Sequence, residues 1–211
     1  MKEIREGKIK TVIFDMDGTI YQLDGDNNGF KNSTLHKKVK ENTLKYFSEK
    51  EGTTTEEAQK IVDEINSRNI FPSVYAAEKY NISRKDFFDV VWNISPNSIV
   101  NNYKDAVQVI SELAKLDIEL ILLSQAPSVW QNNVFDFLNL SNFFSVIYTG
   151  EDYMHKTEMF PVIAKGKDPI TVLSVGDQID TDISPAQEQG FHTFHVTSPR
   201  DLLKLIYNNE Q

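Results

Sequence analysis

No cysteine occurs among the 211 residues. That absence excludes disulfide bridges, thiolate catalysis and cysteine-ligated zinc. Apolar residues come in short blocks, none long enough to cross a bilayer, so no membrane association is expected. Residues 1–6 carry no apolar signal region, and the expected home is the cytoplasm. Cations are in the minority: 22 Lys and Arg against 31 Asp and Glu leave a formal charge of −9, with no clustered basic stripe. Nucleic acid is therefore not the expected partner, because phosphate backbones are held by Lys and Arg. A small anionic substrate stays open, since a metal ion and one or two local cations can reverse the sign of a site. Neither a GxxxxGK[ST] loop nor a GxGxxG loop is present, which leaves P-loop nucleotide hydrolysis and dinucleotide redox chemistry without support. Internal repeats and low-complexity segments are also missing.

What is present falls into two textures. The first strand is expected near 9–15. A Gly- and Asx-rich stretch at 22–29 then reads as irregular chain, a mobile flap. Its Asp24 and Asp26 around Gly25 fall short of the twelve-residue calcium pattern. Residues 32–95 read as helical throughout, with capping boxes at Thr54/Glu57 and Ser83/Asp86. The segment closes at Ser95-Pro96-Asn97-Ser98. Beyond residue 100, helices and strands alternate strictly. Helices are expected near 103–116, 127–138, 156–165 and 183–189, and strands at 118–123, 144–148, 170–175 and 192–196. Ser198-Pro199 starts a last helix, with Pro at its first position. Continuous apolar strands separated by helices imply a parallel sheet covered on both faces. The expected fold is thus α/β, a doubly wound parallel sheet built from 1–21 and 103–211. An α-helical cap domain is inserted at 22–102, on hinges near 21–31 and 95–103.

Ligands of open α/β sheets bind beyond the carboxyl ends of the strands. The apolar Thr11-Val12-Ile13-Phe14 runs directly into Asp15-Met16-Asp17-Gly18-Thr19. Two carboxylates one residue apart repel each other and need a cation or water to stabilise them. A hard divalent metal bound by oxygens is the natural partner. The second strand ends at Ser124, the third leads to His155-Lys156, and the fourth ends in Gly176-Asp177, followed by Asp180 and Asp182. Acids for Mg²⁺, a nucleophile, and a hydroxyl and an ammonium for non-bridging oxygens together suit a phosphoryl group. Taken singly, Ser124 is an ordinary strand end and Lys156 a solvated helix residue, so their weight lies in convergence. Asp180 reads equally as a loop acid or as support. His155, His192 and His195 lack ligand spacing and read as structural, and Trp92, Trp130 and the Phe pairs read as core.

In order, spacing and context, these residues resemble the four motifs of the haloacid dehalogenase-like hydrolases over 8–21 and 103–206. The resemblance implies that Asp15 is a nucleophile and Mg²⁺ ligand. It implies that Asp17 is the general acid and base, its backbone carbonyl on the metal. Gly18 would allow the sharp turn and Thr19 would support it. Ser124 and Lys156 would hold phosphate oxygens, Asp177 would bind the metal beside Gly176, and Asp182 would support the site, with contact of Asp180 or Asp182 to the metal shell left open. Two positions depart from the family pattern: Gln125 follows the hydroxyl and Thr157 follows the lysine, which bears on the shape of the phosphate pocket. The implied activity is a Mg²⁺-dependent phosphatase acting on a small phosphomonoester metabolite through an aspartyl phosphate. Sugar phosphates, phosphoglycolate and nucleoside monophosphates all stay open. A phosphomutase on the same fold is the alternative, and a catalytically silent binding protein a remoter one. Dehalogenation is disfavoured, because family dehalogenases lack the acid at position 17. Substrate choice falls to the cap, where Arg68, in the helix-breaking stretch 66–72, reads either as an anion-gripping residue or as a solvated loop residue.

Overall fold

The computed structural model describes residues 2–25 and 30–207. A short helix α1 (Lys2–Arg5) buries Ile4, and β1 (Thr11–Phe14) then enters the core with all four residues buried. β2 (Gln22–Leu23) leads into helices α2 (Thr34–Glu51), α3 (Thr55–Ser67), α4 (Pro72–Tyr80) and α5 (Arg84–Val91). The chain returns through β3 (Val100–Asn101) and alternates thereafter: α6 (Lys104–Leu113), β4 (Glu119–Leu123), α7 (Ser128–Leu138), β5 (Val146–Tyr148), α8 (Phe160–Ala164), β6 (Val172–Gly176), α9 (Ser184–Glu188), β7 (His192–His195) and α10 (Leu203–Ile206). No helix among the described residues is long and apolar enough to cross a membrane.

Five strands form one parallel sheet in the order β5-β4-β1-β6-β7. The two-residue period of the strands sorts their side chains onto two faces. Val12, Phe14, Leu120, Leu122, Leu173 and Val175 pack with α6 and α7 on one face. Ile13, Ile121, Leu123 and Val172 pack with α8 and α9 on the other. The doubly wound α/β expectation is met. Register places the chemistry: Phe14 lies level with both Leu122 and Val175. The turns after β1, β4 and β6 therefore emerge at one edge, carrying Asp15, Ser124 and Asp177 with them.

The four helices after β2 have an apolar cluster of their own around Phe47, Val62, Ile65, Phe87 and Val91, with Val129 of α7 packed against it. Their starts are locally encoded. Ser33, Thr54 and Ser83 each accept a backbone N–H, and the Thr54/Glu57 and Ser83/Asp86 capping boxes are both closed. Gly52 and Asn81 end α2 and α4 in the left-handed conformation.

Four local expectations need correction. Gln22 and Leu23 are not irregular chain; they pair antiparallel with Asn101 and Val100, tying the outgoing and returning segments into a ribbon. A two-residue ladder closed over so long a loop has no local signature. Asp24 accepts the Thr34 backbone N–H at 3.0 Å and its hydroxyl as well, anchoring the start of α2. The rest of the expected flap, 26–29, lies outside the described residues. The helix expected at 156–165 is a 3₁₀ turn, Lys156–Met159, before α8, because Pro161 cannot donate into a continuous ladder. The helix expected at 183–189 starts earlier, as a π turn at Ile179–Ile183. The strand expected from 170 starts at Val172, because Asp168 caps a 3₁₀ turn over Pro169–Thr171.

Candidate active site

Asp15 is almost fully buried at the end of β1. Its backbone N–H still donates to Val175, at 2.9 Å, so the residue is held in the sheet. One carboxylate oxygen accepts from Thr19 Oγ1 at 3.0 Å, and the other accepts from Lys156 Nζ. Thr19 thus orients the carboxylate itself as well as supporting the turn. Gly18 has φ +88° and lies against Asp177 so closely that any Cβ would overlap that carboxylate. Only glycine satisfies both conditions.

Lys156 is 6% exposed, and its ammonium bridges the Asp15 and Asp182 carboxylates. Burial alone opposes its charge, but the two acids outweigh burial and raise its pKa. Asp182 is anchored below it: Oδ2 accepts the Gln178 N–H at 3.0 Å, and its carbonyl accepts Ser174 Oγ at 2.9 Å. A Cβ on Gly176 would overlap the Asp182 side chain, so this glycine admits the acid into the site. The π turn at 179–183 swings Asp182 inward and leaves Asp180 exposed.

Oxygens of Asp15, Asp177 and Asp182 all lie within 4.8 Å of one another. Burial raises the carboxyl pKa of Asp15, relieved in part by Lys156 and reinforced by Asp182 and Asp177. Burial also raises Asp177, and Asp182 adds to it. The site therefore has more negative charge than its single ammonium can satisfy. Asp177 Oδ1 is buried without a hydrogen-bond partner. An orphaned carboxylate oxygen among three acids fits a hard divalent cation. His195 Nε2 lies 2.9 Å from the Asp177 carbonyl, a structural contact in line with expectation.

Asp17 faces the same cavity of about 290 Å³ as Asp15, Ser124 and Lys156. Burial raises its pKa, opposed by a hydrogen bond that Tyr21 Oη donates to Oδ1. Trp130 Nε1 donates to that same hydroxyl at 2.9 Å. Both aromatic residues are fully buried. The core expectation for Trp130 holds, but it omitted the relay from Trp130 through Tyr21 to Asp17. A tyrosine two residues beyond the motif carries no signal in sequence. Gln125 was equally unreadable: Oε1 accepts the Lys156 N–H at 3.1 Å and Nε2 donates to Met154 O at 3.2 Å. Gln125, one of the two departures from the family pattern, thus clamps the segment that carries Lys156. The Ser124 hydroxyl accepts the Ala126 N–H at 3.2 Å, and the Ser124 carbonyl accepts Tyr153 Oη at 2.5 Å.

Arg68 is not brought to this site. It ends α3, exposed and paired with Glu64 one turn back, beside a small recess formed with Ile61 and Tyr75. The helical arginine that does face the core is Arg84, at the first position of α5. Trp92 is also not simply core, for it stacks on Phe30 and lines the same cavity as Arg84.

No curated protein sequence matches the chain. Among solved structures it is similar to a HAD phosphatase from Thermococcus onnurineus, with 17% identity, TM-score 0.60, and coverage of 94% of this chain and 98% of that one. It is similar to a haloacid dehalogenase-like family hydrolase from Streptococcus pneumoniae, with 16% identity, TM-score 0.52, and coverage of 96% and 93%. A proposed β-phosphoglucomutase from Thermotoga maritima is 14% identical, with TM-score 0.54 and coverage of 94% and 98%. At these identities the likeness is one of fold. The family match is in the sequence itself: residues 12–196 match the haloacid dehalogenase-like hydrolases, and the chain belongs to that family.

Proposed function

We propose that the protein is a Mg²⁺-dependent phosphatase that hydrolyses a small phosphomonoester through a phosphoaspartate on Asp15. The observation that carries this reading is the placement of Asp17. An acid hydrogen-bonded by Tyr21 and without an ion pair among the described residues faces the same cavity as the buried Asp15. Asp15 attacks phosphorus as the ester P–O bond breaks, and Asp17 protonates the departing alkoxide. Asp17 then takes a proton from the water that attacks the phosphoaspartate, which frees inorganic phosphate and restores Asp15. Lys156 and Ser124 hold the non-bridging oxygens. Asp15, Asp177 and the Asp17 carbonyl would hold Mg²⁺, with Asp182 occupied in anchoring Lys156. The ion supplies charge neutralisation, worth several kcal/mol in the transition state.

The test is a panel of phosphate esters with Mg²⁺, with EDTA, and with Asp15→Asn. Phosphate release should require the metal and vanish in the variant. Undiminished hydrolysis in EDTA sinks the reading. Transfer to a second sugar hydroxyl, without phosphate release, makes the protein a mutase instead.

A further inference from the structure

Between the helical insert and the core lies a second cavity, of about 430 Å³. That volume is within the range of ordinary metabolite sites, about 300–1,000 Å³. It shares Asp17, Gln125 and Gln178 with the cavity over Asp15, so the two adjoin. Its walls are mostly apolar, with Asp17, Thr43, Ser73, Arg84, Gln125 and Gln178 as the polar members. Phe71, Phe87, Phe88 and Trp92 come from the insert, and Ala126 and Met154 from the core. The Trp92 indole stacks on Phe30 with ring centres 5.6 Å apart and planes within 4°.

Polar groups in this wall are few, and most are engaged. The Thr43 hydroxyl donates to Val39 O at 2.7 Å. Ser73 Oγ accepts from Arg84 Nε at 3.2 Å. Arg84 itself is half-buried, its guanidinium carbon 5.3 Å from the centre of the Phe88 ring. Among the described residues its only other hydrogen bond is Nη1 to Tyr153 O at 3.5 Å, which leaves most of its five donors unused there. Among the described residues no carboxylate forms an ion pair with it. Glu151, whose field reaches it, is committed to the Ser128 N–H and hydroxyl. Burial lowers the arginine's pKa, and the more distant Glu151 charge only partly offsets it.

We propose that the substrate is a phosphomonoester of an apolar, ring-sized alcohol that carries a carboxylate, and that Arg84 receives that carboxylate while the phosphate sits over Asp15. This rests on the phosphatase reading above. One uncompensated cation matches one carboxylate; a second phosphate dianion would leave charge unanswered. Sugar hydroxyls would lose water against the ring walls, which offer them no hydrogen-bond partner, so hexose phosphates are poor fits. Phosphoglycolate lacks the apolar body that the ring wall would cover.

The experiment pairs turnover with binding. With Mg²⁺, wild-type kcat/KM for 4-carboxybenzyl phosphate should exceed that for benzyl phosphate about tenfold or more, the effect of one charge-assisted contact. Glucose 6-phosphate should be poorer still. In Arg84→Met the ratio between the two benzyl esters should fall to about one, and Arg84→Lys should restore part of it. Binding is read without turnover, by tryptophan quenching with (4-carboxybenzyl)phosphonate and benzylphosphonate. The carboxylated analogue should bind about tenfold tighter or more to wild type, and this preference should be lost in Arg84→Met. Equal binding of the two analogues to wild type overturns the proposal, whatever the turnover. So does a preference that survives Arg84→Met, or a sugar phosphate that outperforms both esters. If the carboxylated analogue binds preferentially but no ester is hydrolysed, the cavity assignment stands and the phosphatase reading falls.

Discussion

Asp17 owes its orientation to a residue outside the motif that contains it. Tyr21 donates to its carboxylate and accepts from Trp130; both aromatic residues are fully buried, while Asp17 is half-buried at the cavity wall. If Asp17 is the acid and base, Asp17→Asn should slow turnover by about 10²–10⁴. The loss should be larger for alkyl than for aryl esters, because poor leaving groups need the proton more. Equal losses for the two ester classes would count against that role. Tyr21→Phe removes the donor to Asp17 and strands the buried Trp130 N–H. An unpaired buried polar group costs about 1–3 kcal/mol, so urea unfolding should show a loss of that size. Its kcat should also fall, though less than in Asp17→Asn. A stability loss with kcat unchanged would reduce Tyr21 to a packing residue.

At the scale of elements, α5 shows how a local signal positions a remote function. Ser83 and Asp86 close a capping box, so the helix begins at Arg84 and turns Phe87 and Phe88 to the same side. Start the helix one residue later and the guanidinium no longer meets Ser73 and Tyr153. Ser83→Ala should cost about 0.5–2 kcal/mol of stability, measurable by denaturant titration. KM for the preferred substrate should rise more than kcat falls, because the cap holds the cavity wall and not the reacting groups. A kcat loss larger than the KM change would contradict that division. The turn after β6 works the opposite way. Its π geometry depends on Gly176 admitting Asp182 and on the Gln178 N–H bonding back to it, a reciprocity with no sequence period.

At the scale of the molecule, apolar burial is partitioned. Two clusters cover the two faces of the sheet, and a third lies within the four-helix insert. Phe47 is fully buried in the third, among Tyr46, Tyr75, Tyr80 and Phe87. Phe47→Ala should destabilise the insert by about 3–5 kcal/mol. Hydrogen exchange should then accelerate across 34–91 while β1, β4 and β6 stay protected. Uniform acceleration through the sheet would show that the insert and the core unfold as one unit. Discrimination among esters should fail in this variant before hydrolysis of a simple aryl phosphate does.

The sequence by itself determined the α/β class, the helical interruption after β1, two capping boxes, and the acids at the strand ends. Each of these is written in short-range pattern: strand runs of apolar residues, helix caps three residues apart, and carboxylates adjacent to a glycine. Only the tertiary structure decided which side chains converge from distant parts of the chain. Tyr21 beneath Asp17, Gln125 clamping Lys156, β2 paired with β3, and Arg84 in place of Arg68 at the cavity all depend on contacts across many residues. Arg68 and Arg84 both stand beside helix ends in the insert, and composition does not separate them. What separates them is the direction each helix faces once its apolar side is buried, and that is set by packing against the rest of the molecule.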